Sequence, residues 1–150
     1  MNIKKKQKLT KDWFIKLQNI ICDNIEKLEK EHNSKAKFKK NKWKNGEFRI
    51  IEGKVIEKGG VAFSNVKGKF SKEFAKKIPG TKNNRNFWSS GVSVVLHAKN
   101  PKIPAMHFNT RFIVTSKKWF GGGMDATQSL GDAYENRLFH KNIYHTTFYI

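Results

Sequence analysis

A helical pattern is the first clear feature of the chain. Between residues 11 and 30, apolar side chains recur at spacings of three and four, which places them on one face of an α-helix. Thr10 is a suitable N-cap, and Asp12 lies in the first turn, where the helix dipole favours a carboxylate. The pattern predicts an amphipathic helix that buries this face against a domain. The residues of the face are Trp13, Phe14, Leu17, Ile20, Ile21, Ile25 and Leu28.

The segment that follows is polar and strongly basic. Residues 30–46 are rich in Lys, and Phe38 and Trp43 are the two aromatic residues among them. We predict a solvated basic loop whose two aromatic side chains dock on the domain. An alternative is that the Lys residues and the interleaved aromatic rings bind single-stranded nucleic acid by charge and stacking.

The pattern changes to that of β-structure from residue 48 onward. Residues 48–70 predict two strands that form a hairpin, with a glycine-containing turn near residues 57–60. Residues 71–86 are again polar and contain Pro79 and Gly80, so we expect a short helical turn or a loop there.

The remainder of the chain predicts more strands and a closing helix. Residues 87–98 and 106–116 each predict a strand, and a loop with two prolines separates them. Residues 117–127 are expected to continue into a glycine-rich turn, and residues 131–148 have room for a final helix. Strands clustered between helical ends predict an α+β fold with an antiparallel sheet flanked by helices.

Length and composition limit the class of protein. The 150 residues suggest one domain, and an aromatic content of 13% is too high for a disordered chain. No apolar run is long enough to span a membrane, and Lys4, Lys5 and Lys6 are not followed by the apolar run of a secretory signal. The single cysteine, Cys22, excludes an internal disulfide framework and fits a reducing compartment, so we expect a cytoplasmic protein.

The formal net charge of +19 raises the question of nucleic-acid binding. Only four of the 31 basic residues are Arg, which is the residue best suited to bidentate contacts with phosphates and bases. We therefore attribute most of the Lys excess to the compositional bias of an AT-rich genome. A basic, non-enzymatic protein that binds nucleic acid or another polyanion is kept as the alternative function.

Polar side chains of an unusual kind gather on two neighbouring predicted strands. Because side chains alternate between the two faces of a strand, Ser93 and His97 share one face, as do His107, Asn109 and Arg111. The short connection between the strands favours antiparallel pairing, which would bring all five onto one surface. Such a set suits an anion, although a face that simply meets water also alternates. The absence of Lys between residues 103 and 116 favours the anion site.

Two further features are less specific. Three successive glycines at residues 121–123 allow close approach of the backbone to a ligand, or they form only a bulge or a turn. Four histidines lie in the second half of the chain, at positions 97, 107, 140 and 145, but without the short spacings typical of zinc sites. Ligands from separate strands need no such spacing, so a metal site stays open.

Three stretches together resemble the oxygen-dependent coproporphyrinogen III oxidases. They are GGVAFSNVKG at residues 59–68, GVSVVLHAKNPKIPAMHFNTRF at residues 91–112 and WFGGGMDAT at residues 119–127. Their order and spacing match the family, as does the leading amphipathic helix. The resemblance implies a large antiparallel sheet flanked by helices. It also implies oxidative decarboxylation of two propionate groups of coproporphyrinogen III to vinyl groups, with molecular oxygen, in haem synthesis.

The resemblance also implies roles for particular residues. Ser93 corresponds to a substrate contact, and Asn109, Thr110 and Arg111 to a substrate-binding stretch in which Thr110 offers only its backbone. His107 corresponds to the proton donor of the family. The family members use no organic cofactor. Histidines that serve as metal ligands in some members correspond to His97, His107 and His140.

The matching region is the N-terminal half of the family fold. Family members are longer than this chain and form homodimers mainly through a later region, so the chain is expected to be a single partial domain over residues 1–150. On this interpretation it is a fragment that is inactive alone, and a separate C-terminal half is a possible partner.

Overall fold

A computed structural model describes residues 1–130, 137, 138 and 141. Within residues 1–130, two helices and six strands follow one another in the order α1, β1, β2, β3, α2, β4, β5 and β6. Within the described residues, neither helix has the length and apolar character that a bilayer crossing requires. The bounds are α1 (Ile3–Glu31), β1 (Lys39–Trp43), β2 (Gly46–Ile51), β3 (Ile56–Lys69), α2 (Lys72–Ala75), β4 (Asn86–Ala98), β5 (Ala105–Val114) and β6 (Lys118–Thr127).

Helix α1 is longer than the sequence pattern predicts. The N-cap is Asn2, whose side chain accepts a hydrogen bond from the Lys4 N–H, so the helix begins well before Thr10. The buried face also differs from the predicted one, because Trp13 is half exposed. Polar side chains are part of the true face, which consists of Phe14, Gln18, Cys22, Ile25 and Glu29. The prediction counted only apolar residues and therefore rotated the face toward Trp13, Ile20 and Leu28, which are exposed.

The six strands form one antiparallel sheet in which spatial order equals chain order. Helix α1 packs on one face of this sheet, mainly against β3 and β4. The core between them includes Ile51, Val61, Phe63, Val92 and Val94, all of which are buried. The face that α1 does not cover, here called the open face, carries the alternate side chains of the same strands. The predicted α+β fold with an antiparallel sheet and helices is thereby confirmed.

A buried carboxylate fixes the connection between β2 and β3. Glu29 is fully buried at the end of α1 and accepts hydrogen bonds from three successive main-chain N–H groups. The distances are 2.8 Å to Lys54, 3.0 Å to Val55 and 2.7 Å to Ile56. Because these donors lie in the loop and at the first residue of β3, Glu29 sets where β3 begins. Gly53 lies directly against the carboxylate, where a Cβ would collide with it.

Two predicted connections are wrong. The basic segment 30–46 is not a loop throughout, because β1 lies within it and pairs with β2. All five residues of β1 are exposed at the sheet edge, so the strand has no alternation of apolar and polar positions to reveal it. The hairpin turn expected near residues 57–60 lies instead between Ile51 and Ile56. Gly59 belongs to β3 and leaves room for the packed side chain of Ile51.

The glycine-rich turn predicted at residues 117–127 is also wrong. This segment is strand β6, and the three glycines pair in register with β5. None of the three has a positive φ angle, which among the described glycines is found only at Gly80. The short helical turn predicted at residues 71–86 is confirmed as α2. The final helix expected at residues 131–148 lies almost entirely outside the described residues.

Candidate functional site

The open face carries the predicted polar set. Strands β4 and β5 pair so that Ser93 lies opposite Asn109, and Gly91 lies opposite Arg111. His107 lies opposite Val95, which shares the open face with Ser93. The predicted pairing of the two strands is therefore correct. It brings these side chains onto one surface, because residues directly opposite each other in a sheet point to the same face.

Ser93, Asn109 and Arg111 line one cleft of about 220 Å³. The Arg111 Nη2 donates a 2.7 Å hydrogen bond to the Asn109 Oδ1, which holds the guanidinium beside the amide. Its other N–H groups remain available as donors in a fork that suits a carboxylate. Ala62 and Gly91 also line the cleft, and their small size leaves space above the sheet. The cleft is therefore suited to a carboxylate attached to a larger body.

Thr110 contributes to this cleft differently from its neighbours. It lies opposite Val92, a buried core residue, so its side chain belongs to the face that α1 covers. Thr110 therefore contributes only its main chain to the cleft, as the alternation of the strand predicts.

The two predicted strand histidines lie close together but in different surroundings. The ring centroids of His97 and His107 are 6.2 Å apart, with the ring planes at 63°. His97 lines a second cleft of about 310 Å³ beside the first, along with Lys58, Gly60 and Val95. The five side chains thus share one face. Ser93, Asn109 and Arg111 line the first cleft and His97 lines the second, whereas His107 lies on the same face but lines neither cleft.

Asp125 is a site residue that the sequence interpretation missed. It lies directly opposite His107 in the pairing of β5 with β6, and its Oδ2 is 4.0 Å from the His107 Nδ1. The sequence contained the information needed to find Asp125. If residues 118–127 are taken as a strand, the alternation of side chains places Asp125 on the open face with Gly121 and Gly123. The expectation of a turn concealed this parity.

The described residues do not make up a complete metal site. No group of three or more His, Cys, Asp or Glu side chains converges among them. His97 and His107 lie close to each other, but the third predicted ligand, His140, lies outside the described residues. We therefore derive no chemical step through a metal ion.

Comparison with known proteins identifies the family. The family model for coproporphyrinogen III oxidase matches residues 9–148. The chain belongs to this family. The resemblance drawn from residues 59–68, 91–112 and 119–127 is confirmed.

Curated relatives support the same assignment. The chain is 43% identical to the oxygen-dependent coproporphyrinogen-III oxidase of Rickettsia bellii, with 91% of this chain and 53% of the relative covered. It is likewise 43% identical to the oxidase of the same name from Rickettsia africae, with 93% and 53% covered. The corresponding protein of Rickettsia typhi is 42% identical. The chain thus spans about half the length of the curated relatives it matches.

Proposed function

We propose that this chain forms part of the tetrapyrrole site of an oxygen-dependent coproporphyrinogen III oxidase. In the reaction, two propionate groups become vinyl groups and the product is protoporphyrinogen IX. Each propionate loses carbon dioxide and two electrons. The β-carbon also loses one proton, and molecular oxygen accepts the two electrons together with protons. The observation that carries the proposal is the cleft of Ser93, Asn109 and Arg111 on an open sheet face beside His107.

The first task of the cleft is to bind a carboxylate. Arg111 supplies the positive charge, and its bond to Asn109 fixes the orientation of the guanidinium. The Ser93 hydroxyl and the Asn109 amide supply further donors on the same face. Since the substrate carries carboxylates on a large apolar ring, the small residues Ala62 and Gly91 allow the ring to lie close to the sheet.

The second task is proton transfer, because a proton leaves each β-carbon and the reduced oxygen takes up protons. His107 is the proton donor in this proposal, and Asp125 is placed to orient its imidazole ring. The separation of 4.0 Å between His107 Nδ1 and Asp125 Oδ2 is longer than a hydrogen bond. A small movement of either side chain toward the other upon binding of the substrate would bring the two atoms within hydrogen-bond distance.

From the family resemblance and the composition, we also propose a metal site formed by His97, His107 and His140, a homodimer and a cytoplasmic location. We also propose that the chain binds the tetrapyrrole but that turnover requires binding groups beyond the first cleft. The reason is that the first cleft offers a single Arg, whereas the substrate has four carboxylates.

Binding and turnover are measured separately. Binding is followed by the fluorescence of coproporphyrin III, the stable oxidised form of the substrate, and turnover by chromatography of the products under oxygen. We expect wild-type chain to bind and Arg111→Gln to weaken binding about tenfold, since charge-assisted hydrogen bonds are the strong ones. Lys16→Gln, on the exposed side of α1, is the charge control and should retain full affinity. A folded wild-type chain that binds no porphyrin contradicts the proposed function, and turnover by the chain alone contradicts the need for further binding groups.

A second candidate function is supported by a different cavity. Lys72, Lys76, Lys82 and Arg85 line a space of about 520 Å³ beside α2. These four cations favour binding of a polyanion such as single-stranded nucleic acid. A titration with an oligonucleotide at increasing salt separates the two functions. Submicromolar affinity at physiological salt supports this alternative, and binding that vanishes there reflects net charge alone.

A further inference from the structure

The second cleft on the open face has no role in the chemistry described so far. It is lined mainly by apolar atoms, and its walls come from β2, β3 and β4. It directly adjoins the first cleft, because Gly60 in the second cleft and Ala62 in the first are two residues apart on β3. Val95 in the second cleft and Ser93 in the first are likewise two residues apart on β4. The lining residues are Ile50, Lys58, Gly59, Gly60, Val95 and His97.

The floor of this cleft is open to a ligand. A Cβ built at Gly60 meets no atom within 4 Å, so the space above this position is empty. The neighbouring Val95 is 39% exposed although it lies in the centre of β4. A glycine inside a strand weakens the strand and often marks a site where a ligand approaches the backbone closely. Together, Gly60 and Val95 offer a flat apolar surface of the kind that a ring can cover.

A positive charge lies at the far end of the cleft. Lys58 pairs with His97 across β3 and β4, and it takes part in none of the ion pairs found among the described residues. On β4, His97 lies opposite Lys58 and Gly91 lies opposite Arg111. These two β4 residues are six positions apart, so Lys58 and Arg111 mark two ends of the combined cleft that are about 20 Å apart along the strand. Lys58 and Arg111 are both long side chains that can lean inward from these ends.

We propose that the second cleft extends the tetrapyrrole site and that Lys58 binds a propionate on the side of the ring opposite to the one held by Arg111. The apolar ring then lies over Gly60 and Val95. This inference rests on the proposed function, since it assigns a further substrate contact within the same site. It predicts that the site selects apolar rings with carboxylates on opposite rims. A ligand with one carboxylate would engage only one end.

The charge at Lys58 is tested by titration of the full chain with coproporphyrin III. Lys58→Gln is expected to weaken binding about fivefold, the size expected for an exposed ion pair, and Lys58→Arg to restore most of the affinity. Lys16→Gln, on the other side of the sheet, should leave the affinity unchanged. Arg111→Gln and Lys58→Gln should combine multiplicatively, because the two sites are far apart. Circular dichroism of each variant verifies the fold.

The outcomes separate this inference from the proposed function. If Arg111→Gln weakens binding but Lys58→Gln behaves like Lys16→Gln, then Lys58 is not a contact and only the inference fails. If Lys58→Gln and Lys16→Gln weaken binding equally, the effect is one of net charge and the inference also fails. If the wild-type chain does not bind the porphyrin at all, the proposed function itself fails.

A steric variant tests the placement of the ring without changing the charge. Gly60→Val adds a β-branched side chain into empty space, and valine is favoured in strands, so the fold should be retained or stabilised. The same side chain occupies the floor of the cleft and should weaken porphyrin binding about tenfold. Full affinity in a folded Gly60→Val chain would place the ring elsewhere and overturn the inference.

Discussion

Substitution of Glu29 tests how the start of β3 is held in place. Glu29→Gln keeps the size of the side chain, and its carbonyl can still accept from Val55 and Ile56. In the wild type, the Lys54 N–H donates a hydrogen bond of 2.8 Å to the carboxylate. In Glu29→Gln the new amide group faces this N–H, so this hydrogen bond is lost, and the two remaining hydrogen bonds are no longer made to a charged group. Since hydrogen bonds to charged groups contribute about 1.5–3 kcal/mol, we expect a loss of about 2–3 kcal/mol in the free energy of unfolding. This is a large share of the roughly 5–15 kcal/mol typical of a domain.

The measurement is urea unfolding at neutral pH, followed by tryptophan fluorescence. Glu31→Gln is the matched control, because Glu31 lies on the same helix and makes an exposed ion pair with Lys27 at 3.9 Å. That control should change stability by less than about 0.5 kcal/mol. If Glu29→Gln is no less stable than Glu31→Gln, the carboxylate does not fix the loop. Since Lys58 and Gly60 follow soon after the loop, Glu29→Gln should also weaken porphyrin binding.

The pH dependence of stability gives a further test of the role of Glu29. Burial by itself would raise the pKa of the Glu29 carboxyl, but hydrogen bonds from Ile56, Ser34, Lys54 and Val55 outweigh it and lower the pKa below the ordinary 4.5. Because this pKa is lowered in the folded state, the ionised carboxylate stabilises the fold fully at pH values above the pKa of the unfolded chain. This stabilisation is lost as the pH falls through the pKa of the folded chain. The stability difference between wild type and Glu29→Gln should therefore be full at pH 7 and shrink below about 4.5. A difference that is independent of pH would refute this reasoning.

Two further predictions concern Gly53 and Cys22. Gly53→Ala places a Cβ against the carboxylate of Glu29 and should destabilise the chain by about 1–3 kcal/mol in urea unfolding. Gly60→Ala, whose Cβ meets open space, is its control and should not lower stability. Burial raises the pKa of the Cys22 thiol to about 11, although the nearby Arg49 opposes this. A thiol reagent at pH 8 should therefore react slowly with native chain and rapidly in denaturant, and equally fast reaction in both would contradict the buried placement.

The sequence predicted the centre of the sheet better than its edges. In β4 and β5 one face meets the hydrophobic core and the other is open, so apolar and polar residues alternate and the pairing of Ser93 with Asn109 follows. An edge strand lacks this signal. In β1 every residue is exposed, and in β6 the glycines suggested a turn, so Asp125 was not recognised as a neighbour of His107.

Buried polar residues on α1 were also beyond prediction from the pattern. Gln18 is almost fully buried, and its amide donates to the main-chain oxygens of Glu47 and Val61 at 3.1 Å and 3.0 Å. Glu29 is bound by the loop before β3. In both cases the partners are main-chain atoms of distant segments, which are present whatever the side chains are. The local sequence therefore contains no trace of these contacts, and only the tertiary fold reveals them.

The agreement of spatial order with chain order has a consequence for synthesis on the ribosome. Each strand of the sheet pairs only with strands adjacent in the sequence, so every hairpin can close as soon as its second strand emerges. Closing short loops costs less entropy than joining distant segments, and topologies of this kind fold quickly for β-proteins. The open face, contributed by β2 to β6, can thus form strand by strand during translation, after α1 has been synthesised.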